Sequence, residues 1–420
     1  MSPAGLELVN PVAVEEVAPW ARAMATTFLR DRRAPETQAW IDQLTARWNP
    51  ERAWGIRDRG RWVASLRTEP RRLTVPAALG EMPDVEVDAL TNVTVAATHR
   101  RQGLMSRMVE SSLRSARARG EALSVLIAAE WPIYGRFGYA PSTLSADYVL
   151  HRSRPGAWCS GETGSIRQVE LGEVADVAPA LFELTRRQWA GQMDRDAGWW
   201  RRGLGLEGEG ARNSVTPNWF LHDGEDGIDG LLGWSADGPD NLVAPEQWVD
   251  VQMFLTTNQA AYRDLWAYLT AIDLIDQVRL RNRSVAEPVR WLLHNPRTLV
   301  ERRRVDFLWV RLLDVPAALR ARSYPVNGEL VLEVVDPGPL GFAAGRYRLL
   351  AGPDGVECEP TDAAVDIRIQ QRALASIYLG GFRLAELLSA GIAEELRPGA
   401  LARADLMFSW PRVPWNATWF

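Results

Sequence analysis

The stretch from Thr91 to Tyr139 carries the residue types best suited to chemistry, and its centre is the run Arg100-Arg101-Gln102-Gly103. Where a strand turns into a helix, the first backbone N–H groups lack partners and the helix dipole is positive, so the turn can bind an anion. Gly103 allows a phosphate to approach the backbone closely, and the two arginines add charge. We interpret this run as a cradle for a pyrophosphate-bearing cofactor. An ordinary turn with solvated arginines is the alternative.

The patterns on either side predict the elements that would form this turn. Residues 85–95 predict a strand, residues 102–119 place apolar side chains on one helical face, and Gly120 stands where that helix would end. The apolar run 123–129 predicts a buried strand. Strand, turn, helix and strand form a βαβ unit, which implies parallel strands covered by helices.

The chain before this unit predicts two short helices within 13–47, broken near Pro35, and two strands, 53–56 and 62–66. A similar order returns later. Strands are predicted at 219–223 and 230–234, and the run 249–251 precedes a helical segment at 258–271, but no Arg-Arg-Gln-Gly turn lies between the last two. We infer a degenerate repeat that kept the fold and lost the cofactor site.

A third segment begins near residue 306. Its predicted strands lie at 306–310, 329–335, 346–350 and 364–369. A helix is expected to start at Pro316, and two more helices are predicted at 371–378 and 384–396. The tail after residue 409 contains Trp410, Trp415 and Trp419 and ends at Phe420. Chain ends are usually frayed, but a tail this aromatic is expected to be buried.

Length and composition bound the class of protein. A chain of 420 residues suits about three domains, which we place at 1–155, 156–304 and 305–420. The composition, 46% hydrophobic and 24% charged, is that of a soluble globular protein. The sequence contains no run of about 18 apolar residues and no secretion signal, so we expect a cytoplasmic protein without a membrane span. The net charge of -5 argues against nucleic-acid binding.

Other motifs indicate no second site. Cys159 and Cys358 lie far apart without neighbouring ligands, so we expect inert thiols and no bound metal. The four histidines are dispersed. The run Gly203–Gly208 has the spacing of a dinucleotide fingerprint but follows a helical pattern rather than a strand, so we expect a flexible loop there.

Two runs resemble those of a known family. Val93-x-Val95 with Arg100-x-x-Gly103 resembles the acetyl-coenzyme A loop of the GNAT N-acetyltransferase superfamily, although Met105 stands where Gly or Ala is common. The run Ile133-Tyr134-Gly135-Arg136-Phe137-Gly138-Tyr139-Ala140-Pro141 closely resembles the signature of one branch, the enhanced intracellular survival (Eis) N-acetyltransferases. The runs 360–364 and 377–380 are similar to that branch's C-terminal domain, so the resemblance covers the whole chain.

The resemblance implies a mixed α and β fold (α+β, with α/β units). Two tandem GNAT-like domains, the second degenerate, would precede a sterol-carrier-protein-like α+β domain, and subunits would assemble as a homohexamer. The expected cofactor is acetyl-coenzyme A. The cofactor-binding positions that match are Val93, Thr94, Val95, Arg100, Arg101, Gln102, Gly103, Leu104 and Met105. The matching substrate-pocket positions are Phe28, Arg30, Asp31, Trp40, Thr91, Asn92 and Glu130.

The resemblance further implies that Tyr134 is the general acid and that the terminal carboxylate of Phe420 is the general base. A substrate amine with a pKa of about 10.4 is protonated at neutral pH and must lose a proton before it attacks a thioester. Amine acetylation, on a small molecule such as an aminoglycoside or on lysine side chains, is therefore the leading hypothesis. Arg30 stands where the family has an aspartate and would repel polycationic aminoglycosides unless Asp31 takes over. A non-catalytic protein that binds acyl-coenzyme A or lipid is the alternative.

The sequence contains no lysine, so all 48 basic residues are arginine. Codon usage that favours arginine is the simpler explanation. The second hypothesis is that an enzyme modifying primary amines keeps no such side chain of its own. Acetyl groups found beyond the N-terminus after incubation with an acetyl donor, by mass spectrometry, would contradict it.

Overall fold

The computed structural model describes residues 5–31, 35–77, 82–162, 165–206, 217–238 and 246–420. The strands of this part of the chain, in order, are β1 Leu6–Val9, β2 Ala53–Asp58, β3 Arg61–Thr74, β4 Asp84–Val95, β5 Leu123–Ile127, β6 Ala140–Pro141, β7 Leu144–His151, β8 Ile166–Val169, β9 Asn218–Gly224, β10 Gly227–Asp237, β11 Gln247–Thr256, β12 Ile275–Arg283, β13 Leu299–Asp306, β14 Leu308–Leu312, β15 Gly328–Val335, β16 Gly345–Gly352, β17 Gly355–Pro360, β18 Ile367–Gln370 and β19 Ala393–Glu395.

The α-helices of the same part are α1 Val17–Thr27, α2 Pro35–Ala46, α3 Leu104–Ala118, α4 Trp131–Tyr134, α5 Leu171–Arg186, α6 Ala197–Gly203, α7 Gln259–Ala271, α8 Val315–Arg320, α9 Gln371–Ile377, α10 Leu384–Ser389 and α11 Ala400–Phe408. None of these helices is long and apolar enough to cross a membrane.

The strands form three sheets, one for each expected domain. The first has the order β1-β2-β3-β4-β5-β14-β6, the second β13-β7-β12-β11-β10-β9-β8, and the third β17-β16-β15-β18-β19. In the first two sheets a meander of antiparallel strands leads to one parallel pair, β4 with β5 and β11 with β12, joined through a helix. The mixed α and β fold with a repeated sheet is therefore confirmed.

The first two sheets exchange strands. Strand β7 follows β6 of the first sheet along the chain but pairs with β12 and β13 in the second sheet. Strand β14 follows β13 of the second sheet but pairs with β5 and β6 in the first. The boundaries placed at 155 and 304 thus run across the sheets, because each sheet is completed by a strand from the far side of a boundary.

The first sheet is covered on both faces. Helix α3 is amphipathic, and its apolar side, which includes Met108 and Leu113, packs on one face of the sheet. On the other face, Val125 and Val310 share a continuous core with Leu332 and Ile369 of the third domain. The third domain is therefore joined to the first sheet by buried apolar contact.

The predicted elements around the turn agree with the structure, but the single helix expected at 384–396 was wrong. The helix α10 ends at Ser389, and residues 393–395 form β19, which pairs antiparallel with β18. Gly391 has a φ of +73°, a left-handed conformation that ends a helix and reverses the chain.

Candidate functional site

A cavity of 730 Å³ lies where the first sheet, α2, the second domain and the C-terminal tail meet. Its lining contains eight of the positions expected from the sequence: Phe28, Arg30, Trp40, Thr91, Asn92, Val93, Tyr134 and Phe420. Asp31 and Glu130 are exposed and do not line it. A cavity of this size suits a small-molecule ligand.

One wall of the cavity is a face of α2. Trp40, Gln43, Leu44 and Arg47 line it, and their spacing of three and four residues places them on one side of a helix. Next to them, the end of α1 contributes Phe28, whose side chain is 49% exposed. This wall combines apolar rings with a positive charge at its far end.

Another side of the cavity is formed where two parallel strands, β4 and β5, separate from each other and leave a gap. Strands β4 and β5 pair only at Asp88–Ser124 and Ala89–Val125, after which β4 runs on to Val95 beside β3. Leu90 and Val93 on one strand and Ile127 on the other therefore line the cavity across the gap. Backbone groups of the unpaired strand edges are available there to an extended ligand.

A bulge in β4 shapes this gap. The pairing of β3 with β4 shifts register near Asn92, which has a φ of +56°, an uncommon conformation for a residue with a side chain. Two hydrogen bonds hold it: Arg67 Nε donates to Asn92 Oδ1 at 3.1 Å, and Ser65 Oγ donates to the Asn92 carbonyl at 3.0 Å. The bulge re-aims the strand at Thr91 to Val93, which face the cavity.

The signature run forms the support of Tyr134. Tyr139 is fully buried, and its hydroxyl lies 2.6 Å from Oγ of Ser124, which is paired with Asp88 of β4. Gly138 has a φ of +84°, and a Cβ there would overlap a guanidinium nitrogen of Arg311 in β14. Arg311 also donates to the Phe137 carbonyl and to Asp336 of the third domain, at 3.0 Å for the latter.

Tyr134 is 8% exposed and lines the cavity. Burial, with a smaller effect of the Glu130 carboxylate, raises the pKa of Tyr134 to about 12. Both causes disfavour the phenolate. The hydroxyl therefore keeps its proton at neutral pH and can donate it to a ligand in the cavity.

The C-terminal tail is held in the second domain and reaches the cavity, as its tryptophans led us to expect. Trp415 is 7% exposed, and its indole donates to the Asn282 carbonyl at 3.0 Å. Thr418 is 1% exposed and donates to the Met193 carbonyl at 3.1 Å. Trp419, by contrast, is exposed. These contacts place the carboxylate of Phe420 beside the sheet.

The Phe420 carboxylate accepts a hydrogen bond from Thr91 Oγ1 at 3.3 Å. Two groups of opposite chemical character, a protonated phenol at Tyr134 and a carboxylate at Phe420, thus border one cavity. The arrangement can remove a proton from one ligand and supply a proton to another.

The turn before α3 has the features of an anion site. Gly103 is the N-cap residue with a φ of +74°, and no side chain caps the helix, so the first N–H groups lack a side-chain acceptor. Arg100, Arg101 and Gln102 are exposed around it. Thr94 and Leu104 are buried, so only their backbone can meet a ligand.

The matching turn of the second copy is closed. Helix α7 follows β11 after two residues, and Asn258 caps it by accepting from the Ala261 N–H at 2.9 Å. A side chain thus takes the place that an anion would occupy. This contrast supports the cofactor site in the first copy alone.

Charged residues that sequence reasoning missed also line the cavity. They are Arg47, Arg67, Glu69, Arg71 and Arg202. Burial alone would raise the pKa of Glu69, but Arg67 and Arg71 outweigh it and lower the pKa to about 2. The alternation of Arg67, Glu69 and Arg71 along β3 places them on one face, a signal that was present in the sequence. Arg202 and Trp199 come from the second domain, and no local pattern points to them.

The remaining candidates lie outside this cavity. Cys159 and Cys358 are buried, and burial raises the pKa of both thiols, to about 11 and about 12, so they are unreactive. The described residues contain no group of three or more potential metal ligands. The run 203–208 starts at the end of α6, and 207–216 lies outside the described residues.

One opening in the third domain is charged and not apolar. That opening, of 870 Å³, is lined by charged side chains, among them Glu333, Asp336, Arg346 and Arg368. Its strands and helices close on a continuous apolar core instead. The alternative of a lipid-binding protein is not supported by this opening.

Comparison with known proteins agrees with the architecture. Family models described as acetyltransferase (GNAT) domains match residues 9–142 and 191–312, and a sterol carrier protein domain model matches 315–417. An uncharacterized N-acetyltransferase of Streptomyces avermitilis is 36% identical over 413 residues, 97% of each chain. The N-acetyltransferase Eis of Mycobacterium tuberculosis is 32% identical over 351 residues, 80% of this chain and 81% of that one. The crystal structure of Eis1 from Mycobacterium abscessus superposes with a TM-score of 0.83 at 27% identity, covering 99% of this chain and 100% of that one.

Proposed function

Because the chain belongs to the Eis family of GNAT N-acetyltransferases, we propose that it transfers acetyl from acetyl-coenzyme A to a primary amine, directly, in a ternary complex. The acceptor is the amine of a small molecule or of a lysine side chain. One observation carries the proposal: the gap between β4 and β5, the Tyr134 hydroxyl and the Phe420 carboxylate all border one cavity.

The cofactor fits the donors that this region offers. Its pyrophosphate suits the uncapped turn at Arg100 to Gly103, where free N–H groups and arginines meet. Its pantetheine, which carries amides, suits the unpaired backbone around Val93 and Val95. The bound cofactor supplies the thioester.

The side chains then manage two protons. The Phe420 carboxylate takes a proton from the substrate ammonium, which makes the nitrogen a nucleophile. As the new nitrogen–carbon bond forms and the carbon–sulfur bond breaks, the Tyr134 hydroxyl donates its hydrogen to the departing sulfur. The nitrogen loses its second proton to the medium as the amide forms, and the Phe420 carboxyl releases the proton that it took. The tyrosine recovers one proton from the medium, so the net products are an amide, the free thiol and one released proton.

Coenzyme A release, followed with a thiol reagent over a panel of aminoglycosides, polyamines and lysine peptides, tests this proposal. Tyr134→Phe and a chain lacking Phe420 should each lower kcat by about a hundredfold or more, the range of a lost acid or base. Tyr268→Phe in the second domain is the matched control and should change kcat little. Transfer that survives the loss of both Tyr134 and Phe420 would refute the mechanism.

The family resemblance also implies a homohexamer, and we propose this assembly. Light scattering coupled to gel filtration measures it directly. A monomeric mass for a fully active preparation would contradict it.

A further inference from the structure

We propose that the acceptor amine carries a carboxylate, which arginines in the lining of the cavity recognise. This inference rests on the proposed N-acetyltransferase activity and concerns its acceptor. The lining of this cavity is positive, because the guanidinium groups of Arg47, Arg67, Arg71 and Arg202 outnumber the carboxylates of Glu69 and Phe420.

The Glu69 carboxylate is not available to a substrate ammonium. Arg67 contacts it at 2.6 Å, and Arg71 holds it from the other side. Its side chain is 15% exposed. Because two guanidinium groups already surround this carboxylate, it balances part of their charge and offers no free acceptor to a cation.

Two further guanidinium groups converge on one point in the second domain. A methyl group on Gly198 would lie 2.6 Å from Nη1 of Arg47 and 3.2 Å from Nη1 of Arg202. Asp196 reaches Arg71 at 3.0 Å and Arg47 only at 3.8 Å. Within the described parts of the chain, no carboxylate lies within ion-pair distance of Arg202.

No carboxylate of the described residues therefore pairs directly with Arg202, and Asp196 and Glu69 act on it only from beyond ion-pair distance. Burial and the nearby Arg47 lower the pKa of Arg202, as expected for a cation beside like charges. A ligand carboxylate relieves this repulsion, and the planar guanidinium fork binds it through paired hydrogen bonds. A polycation would instead add to the repulsion.

The charge distribution also orients the acceptor. Its carboxylate would meet Arg47 and Arg202, while its amine reaches Tyr134 and Phe420, which line the same cavity. The positive wall further disfavours an ammonium in the cavity, which lowers the pKa of the amine and favours the neutral nucleophile. The positive charge of the arginines thus both binds the carboxylate of the acceptor and favours the neutral form of its amine.

Matched acceptors test the inference. Nα-acetyl-lysine and Nα-acetyl-lysinamide present the same primary amine with and without a carboxylate, and cadaverine lacks the carboxylate and carries a second ammonium where the other two have an acetamide. We expect kcat/KM to fall in that order, by about tenfold or more from acid to amide, which corresponds to one good charged contact. β-Alanine and β-alaninamide repeat the comparison at a shorter reach.

Variants assign the effect to the arginines. Arg202→Gln and Arg47→Gln should raise KM for Nα-acetyl-lysine about tenfold, leave its kcat within a few fold and leave the lysinamide unchanged. Arg348→Gln, on the exposed side of the third sheet, is the control. Equal kcat/KM for acid and amide in the unmodified enzyme, or a preference that survives both substitutions, would overturn the inference and leave the N-acetyltransferase activity standing. No coenzyme A release with any amine would instead refute the proposed function itself.

Discussion

Tyr134 illustrates how a single buried phenol can serve as a proton donor over a wide pH range. Its pKa is raised to about 12, first by burial and then by the Glu130 carboxylate. An acid is lost only when pH rises through its pKa, so this residue should remain competent well above neutral pH.

We therefore expect kcat, measured from about pH 6 to about pH 10.5, to show no decline from ionisation of Tyr134. Glu130→Gln removes the smaller cause, so the Tyr134 pKa should fall while staying above its ordinary value of 10. A descending limb centred near pH 10 in the unmodified enzyme would contradict this assignment, provided the enzyme remains folded there.

Glu69 gives a stability prediction of known sign. Folding lowers its pKa from 4.5 to about 2, so the ionised form is favoured in the folded state. This contribution is fully present above pH 4.5 and is lost as pH falls toward 2. Since one pKa unit equals about 1.4 kcal/mol, Glu69→Gln should cost about 3 kcal/mol at pH 7.

The difference in unfolding midpoint between Glu69→Gln and the unmodified protein should shrink as the pH is lowered from 7 to about 3. Glu329→Gln is the control, because this carboxylate is 49% exposed in its pair with Arg348 and should matter little at either pH. A difference that is the same at both pH values would show that packing, and not charge, dominates at Glu69.

Among the residues of the site, those that belong to a local motif could be predicted from the sequence. The turn at Gly103, the run containing Tyr134 and the aromatic tail could be recognised from adjacent residues. Arg47 and Arg202 could not, because one follows the end of α2 and the other belongs to the second domain, and the two meet only after folding. Asp31 and Glu130 match the family's positions along the chain but are exposed and do not line the cavity.

At the scale of elements, strand β14 connects the first sheet to the third domain. The pair formed by Arg311 and Asp336 is buried, with side chains 1% and 0% exposed. Removing one partner of a buried pair leaves an uncompensated charge, which is far more costly than losing an exposed pair. The same arginine supports the Phe137 carbonyl, three residues after Tyr134.

Arg311→Met should destabilise the protein by about 3 to 5 kcal/mol. Arg348→Met, which breaks an exposed pair with Glu329, should cost no more than about 1 kcal/mol. Thermal unfolding of both variants measures the contrast. Similar losses for the two would show that the buried pair has no special role in joining the domains.

Elements with a strong period were predictable, since the strands near 53–66 and 85–95 and the helix near 102–119 lie close to their expected bounds. Which sheet each strand joins was not. Periodicity reports the buried face of a segment but not its neighbour, so the exchange of β7 and β14 has no signal in the local pattern.

At the scale of the whole molecule, the tail ties all three domains to one site. It leaves the third domain, crosses the second and ends at Thr91 of the first. Asn416 is fully buried on this path, and its side chain donates to the Thr418 carbonyl at 2.9 Å and accepts from the Thr418 N–H at 3.0 Å.

Asn416→Ala should cost about 1 to 3 kcal/mol, because it leaves buried backbone groups of Thr418 unpaired. It should also lower kcat, since the position of Phe420 depends on this turn. Ser409→Ala, at the residue directly before the tail, should affect neither quantity by much. A loss of stability without any change in kcat would contradict the prediction that this turn positions Phe420 for catalysis.

The exchanged strand β14 also sets the timing of biosynthesis. Its pairing with β5 joins Leu308 to Ile127, residues about 180 positions apart, so the ribosome needs roughly ten to forty seconds to supply the partner. During that interval β5 is an open edge next to an apolar face, the arrangement that recruits other chains and aggregates. In the folded enzyme β14 covers that edge, but in every nascent chain the edge is open for a time. We therefore expect slow expression at low temperature, and chaperones, to increase the yield of folded protein.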